Sequence, residues 1–138
     1  MPRTVLTDTG AILAVLDPHD PWHARCAGAL ARCALPLITT EAVVTELFHF
    51  VVGNPLAVAR AWQFLRGGSV ALLPMGRDDL PELERLMLMY ADRPMDFADA
   101  TLVRIAEREG IATVLTIDQD FTIYRTRGRK SFHVLPER

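Results

Sequence analysis

Cysteine and long apolar runs are scarce in this sequence, and each shortage excludes a class of protein. The two cysteines, Cys26 and Cys33, fall two turns apart in a predicted helix, too far for a mutual disulfide. We therefore expect two buried free thiols and a reducing compartment. No apolar run reaches the ~20 residues of a membrane span, and no signal-peptide pattern is seen. These absences predict a cytoplasmic protein without membrane association.

An excess of either charge is lacking as well. Lysine and arginine total 15 against 17 aspartates and glutamates, so the net charge is -2. This balance excludes a protein that coats nucleic acid through overall basicity, and any nucleic acid must be held locally or through a metal. Lys130 is the only lysine, which fits a GC-rich genome and also phosphate binding by arginine forks.

The length of 138 residues fits a single domain, 1–138, with a core large enough to need no disulfide. Half of the residues are hydrophobic, a high share for a domain of this size. We therefore expect an apolar face that is shared with a partner, such as a second copy in a homodimer.

Short β-branched runs alternate with helical patterns along the whole chain. This alternation predicts a three-layer α/β/α sandwich with a mainly parallel central sheet. In such sheets, ligands bind at the carboxyl ends of the strands. The predicted strands are 4–7, 36–39, 69–73, 112–116 and 131–135, and the predicted helices are 11–16, 22–32, 41–52, 56–66, 78–90 and 97–109.

Acidic residues stand where this topology would gather them. Asp8 and Asp118 follow predicted strands, so both should lie at the carboxyl edge of the sheet. Asp96 and Asp99 open the helix 97–109 on one face, although a capping pair would explain them equally well. The same caution applies to Asp8, which could simply cap the first helix.

The third helix, 41–52, is apolar nearly all round and should be buried in the core or in a subunit interface. Glu46 is its anomaly, because a buried carboxylate must be paired, metal-bound or directed into a wet cleft. Glu46 and His49 form a single Glu-x-x-His, which di-iron bundles use twice, so His49 is assigned to the core or its rim. Trp62, in the next helix, is assigned to the core.

Several carboxylates in one cleft would repel one another, so they must either take up protons or recruit a cation. Since the candidate ligands are all oxygens, the ion expected is Mg²⁺ or Mn²⁺. The acids that this topology would gather are Asp8, Glu46, Asp99 and Asp118.

Four short motifs, in their order and spacing over essentially the whole chain, resemble the PIN domain family. The resemblance is greatest to the VapC-type toxins of bacterial toxin-antitoxin pairs. The motifs are Thr7-Asp8-Thr9, Glu46 in the third helix, Asp99-Ala100, and Leu115-Thr116-Ile117-Asp118-Gln119-Asp120-Phe121.

The resemblance implies that Asp8, Glu46, Asp99 and Asp118 are the catalytic acids of a metal-dependent endoribonuclease. Asp8, Asp99 and Asp118 would bind the metal, and Glu46, Asp96 and Asp120 are further candidates, directly or through water. It also implies a dimer that is silenced by a cognate antitoxin. One departure is Gly10, where many relatives carry serine or asparagine, so a polar contact behind the site would be missing here.

Two other interpretations of the acids fit the sequence less well than a nuclease. A receiver domain or a haloacid-dehalogenase-type phosphatase usually needs a lysine in the site, and the sole lysine lies in the tail. A degenerate PIN-like module that binds RNA or protein without cutting is disfavoured because all four matched acids are present. A basic tail could anchor the RNA backbone or be a solvated turn: Arg125, Arg127, Arg129 and Lys130.

A first test follows from linkage, since an ion that binds only the folded chain must stabilise it. Saturating Mn²⁺ should raise the melting temperature, by about 3 °C or more for each ~1 kcal/mol of binding free energy in a chain of this size. The measurement is a thermal melt with Mn²⁺ and with chelator. An unchanged melting temperature would mean that the acids are caps and surface charges.

Overall fold

The central sheet is parallel throughout and has five strands. A computed structural model of the chain describes residues 3–138. The strands are β1 Val5–Thr7, β2 Leu37–Thr39, β3 Val70–Leu72, β4 Thr113–Leu115, β5 Arg125–Thr126, β6 Lys130–Ser131 and β7 His133–Leu135. Those of the central sheet lie in the order β3-β2-β1-β4-β7, with Leu6 opposite both Ile38 and Val114, and Val114 opposite Val134. A separate two-stranded antiparallel hairpin is formed by β5 and β6.

Helices cover both faces of this sheet, so two separate cores form. Because side chains alternate along a strand, Leu6 and Val114 enter one core while Val5 and Leu115 enter the other. The predicted three-layer α/β/α sandwich is therefore confirmed. The helices are α1 Thr9–Leu16, α2 His23–Leu30, α3 Glu41–Val51, α4 Pro55–Arg66, α5 Leu80–Met89 and α6 Phe97–Glu109.

Helix boundaries follow local capping chemistry. Asp96 caps α6 and Gly110 ends it in the left-handed region, so α6 spans the predicted 97–109. Helix α2 begins only at His23, because the carboxylate of Asp20 accepts the N–H of Trp22 in a turn at 2.7 Å. The predicted start at Trp22 was therefore wrong by one residue.

The predicted last strand, 131–135, is two strands. Lys130–Ser131 pairs with β5 in the hairpin, whereas His133–Leu135 joins the central sheet beside β4. Phe132, buried between them, marks the point where the chain passes from one sheet to the other. A pattern of alternating residues cannot show which partner a strand has.

Apolar side chains on α3 and α4 are partly exposed. Helix α3, predicted to lie in the core or in a subunit interface, buries only one face within the chain, since Phe50 is 65% exposed and His49 is exposed as well. Burial of the other face in a subunit interface stays a prediction. The prediction that Trp62 lies in the core was wrong: it is 51% exposed and its ring packs on Phe48, with 4.9 Å between centroids.

The cysteines are free thiols, as predicted, with Cys26 buried and Cys33 half-buried. None of the helices described in residues 3–138 combines the length and the apolar content needed to cross a membrane.

Asp79 was predicted to start a helix, and it also holds two helices together. It closes a 3₁₀ turn, Arg77–Asp79, ahead of α5, and its buried carboxylate accepts the N–H of Gly76 at 2.8 Å. The same carboxylate pairs with Arg104 at 2.8 Å and with Arg108 at 2.9 Å, both on α6. This ion pair fixes the start of α5 against α6, the helix that presents Asp99.

Replacing Asp79 should therefore destabilise the fold. Asp79→Ala removes the carboxylate partner of Arg104 and one of the two of Arg108, which keeps Glu109, and should lower the free energy of unfolding by about 3 kcal/mol. The neighbouring Asp78→Ala is the matched control, because Asp78 is exposed. Urea melts of both variants measure the difference, and equal stabilities would contradict a structural role for Asp79.

Candidate active site

The carboxyl end of β1 places Asp8 in a buried position between two donors. One carboxylate oxygen accepts the N–H of Ala11 at 3.1 Å, so Asp8 caps α1. The other accepts the hydroxyl of Thr116, which follows β4. Asp8 is thus the helix cap, one of the two alternatives left open by the sequence, and its position at the strand end is compatible with the other, a place in the functional site.

Asp118 lies three residues beyond the end of β4. Its own N–H donates to the hydroxyl oxygen of Thr116 at 2.9 Å, and its carboxylate accepts the N–H of Asp120 at 2.9 Å. Thr116 therefore links Asp8 to Asp118. Sequence reasoning missed Thr116, although a threonine two residues before an aspartate at a strand end is a recognisable turn signal.

Glu46 reaches the same edge from α3. Its Oε1 accepts the hydroxyl of Thr9 at 2.6 Å, and the hydroxyl of Thr9 also approaches the carbonyl of Val43 at 3.3 Å. Burial raises the pKa of Glu46 above its usual value of 4.5, and the negative charges of Asp96 and Asp118 raise it further, against the lowering by Thr9. A buried carboxylate needs a polar partner, and for Glu46 the structure shows that this partner is the hydroxyl of Thr9.

Asp99 stands in the first turn of α6 and is the most perturbed of the acids. The hydroxyl of Tyr124 donates to its Oδ2 at 3.2 Å. Burial, followed by the charges of Asp96, Asp118 and Asp8, raises the pKa of Asp99 to about 8. Tyr124 is fully buried and was missed by sequence reasoning, because nothing in its neighbourhood marks it as facing an acid.

The acids act on one another electrostatically. Burial raises the pKa of Asp8 to about 6, and Asp118 and Glu46 add to the rise, while hydrogen bonds from Thr116 and Ala11 oppose it. Asp8, Glu46, Asp99 and Asp118 are therefore brought to one edge from four separate elements. A group of carboxylates that raise one another's pKa is a place where a cation would be stabilising.

Asp96 and Asp120, the two further candidates for metal binding, differ in position. Asp96 accepts the N–H of Asp99 at 2.8 Å as the cap of α6, and its charge also acts on Glu46, so it belongs to the acidic cluster. Asp120 pairs with Arg93 at 3.3 Å near the surface. Of these two, Asp96 has the closer relation to the predicted ligands.

The acidic cluster offers only carboxylate oxygens to a metal ion. As the side chains stand, no three histidine, cysteine, aspartate or glutamate residues within 3–138 are close enough to hold one ion. The cluster nevertheless fits a hard divalent cation in its chemistry. Burial, and then the neighbouring negative charges, raise the pKa values of Asp8 and Asp99, and a cation would offset both effects.

Gly10 faces an apolar neighbour at the back of the site. A Cβ atom added at Gly10 would lie 3.2 Å from Cγ1 of Ile117. The space that a serine or asparagine would occupy is thus taken by Ile117. The polar contact expected in relatives is replaced here by apolar packing.

The basic tail forms the β5–β6 hairpin, and two of its four candidates are engaged within the chain. One nitrogen of the Arg125 guanidinium donates to three carbonyls, those of Thr122, Ile123 and Tyr124. Arg127 pairs with Glu82. Arg129 and Lys130 are exposed.

These features define the class of the protein as a parallel α/β sandwich with an acidic centre at the carboxyl edge of its sheet. The sequence matches the family model of the PIN domain over residues 5–126. The chain therefore belongs to the PIN domain family.

One relative is similar to the chain in sequence, and one solved structure is similar to it in fold. The chain is 33% identical to the ribonuclease VapC26 of Mycobacterium tuberculosis (strain ATCC 25618 / H37Rv), over 96% of this chain and 100% of that protein. Its fold is similar to the crystal structure of M. tuberculosis VapC20, a sarcin-ricin loop cleaving toxin, with a TM-score of 0.76 and 22% identity. That match covers 87% of this chain and 94% of VapC20.

The raised pKa of Asp99 makes a prediction about stability. In the unfolded chain Asp99 loses its proton near pH 4, whereas in the folded chain it keeps it to about pH 8, so stability falls as the pH rises between these values. Asp99→Asn removes this loss and can still accept from Tyr124. In chelator, its melting temperature should exceed that of the parent by at least about 3 °C at pH 8.

The control for this prediction is the same comparison below pH 4. There Asp99 is protonated in both states, and the two proteins should melt at similar temperatures. If Asp99→Asn raised the melting temperature equally at both pH values, the surroundings of Asp99 in the folded chain would not raise the pKa of its carboxyl.

Proposed function

We propose that the chain is a metal-dependent endoribonuclease that hydrolyses RNA phosphodiester bonds and acts as the toxin of a toxin-antitoxin pair. Residues 1–138 would form one nuclease domain. The observation that carries the proposal is the convergence of Asp8, Glu46, Asp99 and Asp118 on one sheet edge. The 33% identity to ribonuclease VapC26 supports the reaction and the class of substrate.

The cofactor proposed is Mg²⁺ or Mn²⁺, held by Asp8, Asp99 and Asp118, with Glu46 and Asp96 at its margin. When bound, such an ion would activate water and neutralise charge on the scissile phosphate. The chain contributes orientation: Thr116 and Ala11 fix both oxygens of Asp8, and Tyr124 fixes one oxygen of Asp99. Carboxylates held in this way lose little freedom when the substrate arrives.

Glu46 is suited to take the proton of the attacking water. Thr9 donates to its Oε1, and the nearby carboxylate of Asp96 favours the protonated form of Glu46. Burial raises the pKa of Glu46 above the usual value, and a raised pKa makes a carboxylate a stronger base near neutral pH. No residue of the chain needs to attack the phosphate covalently.

An open groove beside the acids offers room for an RNA strand. It has a volume of about 750 Å³ and runs between α3 and the start of α6, with Glu46 and Asp96 in its wall. Phe97 lines it and is 49% exposed, so its ring is available for stacking on a base. We propose that unpaired RNA lies in this groove next to the scissile bond.

The partners proposed are RNA, a cognate antitoxin and a second copy of the chain. Exposed apolar side chains on α3 and α4, among them Phe50 and Trp62, support a protein partner, since apolar area removed from water favours association. An antitoxin segment carrying arginine or lysine would complement the acidic edge.

The alternative function, a catalytically weak PIN-like module that binds RNA or protein, is separated from the proposed one by activity. Asp8→Asn keeps one acceptor for Thr116 or Ala11 and should remain folded. It should lower the rate of RNA cleavage in Mg²⁺ or Mn²⁺ by about a hundredfold or more. The measurement is cleavage of a labelled single-stranded RNA by purified protein.

The matched control is Asp92→Asn, because Asp92 is exposed in the loop before α6. It should cleave at the parental rate, and chelator should abolish cleavage by both proteins. Undiminished cleavage by Asp8→Asn would sink the proposed site, and no cleavage by the parent chain would favour the binding module.

A further inference from the structure

A second cluster of cations lies beside the acids and was not singled out by the sequence. A cavity of about 420 Å³ is bordered by Arg25 from α2, by Arg32 just after that helix, and by Arg138, which follows β7. Leu135, Pro136 and Glu137 complete much of its wall. We call it the arginine cavity. Its three guanidinium groups come from two parts of the chain more than 100 residues apart.

Two of these guanidinium groups are held in place. Those of Arg25 and Arg138 both lie over the ring of Trp22, at 5.1 and 5.0 Å from its centroid. Arg138 also donates to the carbonyl of Thr116 at 3.1 Å. Stacking on an aromatic ring restricts a guanidinium without neutralising it, so the charges remain available to an anion.

The arginine cavity is adjacent to the acidic centre. The carbonyl that Arg138 binds belongs to Thr116, whose hydroxyl donates to Asp8. Burial raises the pKa of the Cys26 thiol, the charges of Asp20 and Asp8 add to the rise and that of Arg138 opposes it, so this thiol is close to both regions. One residue therefore separates a catalytic acid from the nearest of these cations.

The charges in the arginine cavity are not spent on side-chain carboxylates. Within residues 3–138, none of Arg25, Arg32 and Arg138 forms an ion pair with an aspartate or a glutamate, and Glu137 is bonded to His133 at 3.1 Å. In the basic hairpin, Arg127 is paired with Glu82 and Arg125 donates to backbone carbonyls, which leaves the two exposed cations Arg129 and Lys130. The arginine cavity brings together three cations without a carboxylate partner in the described part of the chain.

We propose that Arg25, Arg32 and Arg138 bind a backbone phosphate of the RNA strand, next to the phosphate that is cut. This inference rests on the proposed function and names the surface that would hold its substrate. Arginine forks match phosphate oxygens and bind them through two hydrogen bonds at a time. The acidic edge repels a polyanion, so cations immediately beside it are where RNA would gain the binding free energy that the acids oppose.

The test measures binding apart from cleavage. In the Asp8→Asn background with Mg²⁺ present, Arg25→Gln, Arg32→Gln and Arg138→Gln are added singly, and the affinity for a short single-stranded RNA is measured by fluorescence anisotropy. Each should weaken binding by roughly fivefold and lower the slope of log Kd against log salt by about 0.7, because one fewer phosphate is neutralised by the protein. Arg138→Lys, which keeps the charge, should weaken binding less.

The matched control is Arg60→Gln, because Arg60 is exposed on α4, away from the arginine cavity. It should leave the affinity and the salt slope unchanged, and thermal melts check that every variant is folded. If the arginine variants bind RNA like the control, the inference is overturned. The inference is also overturned if the arginine variants bind RNA normally and lose only the binding of an acidic peptide, since the arginine cavity would then bind protein.

The outcome is distinguishable from failure of the proposed function. A parent chain that cleaves RNA while the arginine variants bind it normally would refute only the arginine cavity. A parent chain that never cleaves, with RNA binding that still depends on these arginines, would refute the nuclease and leave the arginine cavity in place.

Discussion

The hydrogen bonds of Thr116 hold the functional edge of the molecule together. Its N–H donates to Leu135 at 2.8 Å and so joins the edge of β4 to that of β7. Its hydroxyl donates to Asp8 and accepts from the N–H of Asp118, while its carbonyl accepts from Arg138. Every polar atom of this buried residue is therefore used. The relative position of two acids and one cation depends on a single threonine.

Charged residues have two opposite effects on the stability of this chain. Burial and neighbouring negative charges raise the pKa values of Asp8 and Asp99, so keeping these carboxylates ionised costs free energy in the metal-free chain. The rest of the fold offsets this cost through two apolar cores and through Asp79, whose carboxylate pairs with both Arg104 and Arg108. A functional site that lowers stability, within a fold that is otherwise well packed, is a common compromise between activity and stability.

Much of the fold could be predicted because its signals are local. The cap Asp96 and the terminator Gly110 delimit α6, and the alternation of strands and helices predicts the layers. The meeting of Asp8 and Asp118 at one edge could be predicted because strand ends converge in a parallel sheet, whereas Glu46 and Asp99 lie on helices and were chosen with the help of the family resemblance. Thr116 and Tyr124 were missed, since their partners lie 108 and 25 residues away. The exposure of Trp62 was missed because periodicity does not reveal which apolar face finds a partner within the chain.

The contact between Gly10 and Ile117 has an evolutionary consequence. A side chain at position 10 would meet Cγ1 of Ile117 at 3.2 Å, so a polar residue at the first position and a bulky one at the second exclude each other. Neither change is neutral alone, because one crowds the back of the site and the other opens a void behind it. As such chains diverge, the two positions should change together, and the pair should covary among descendants that share this acidic edge.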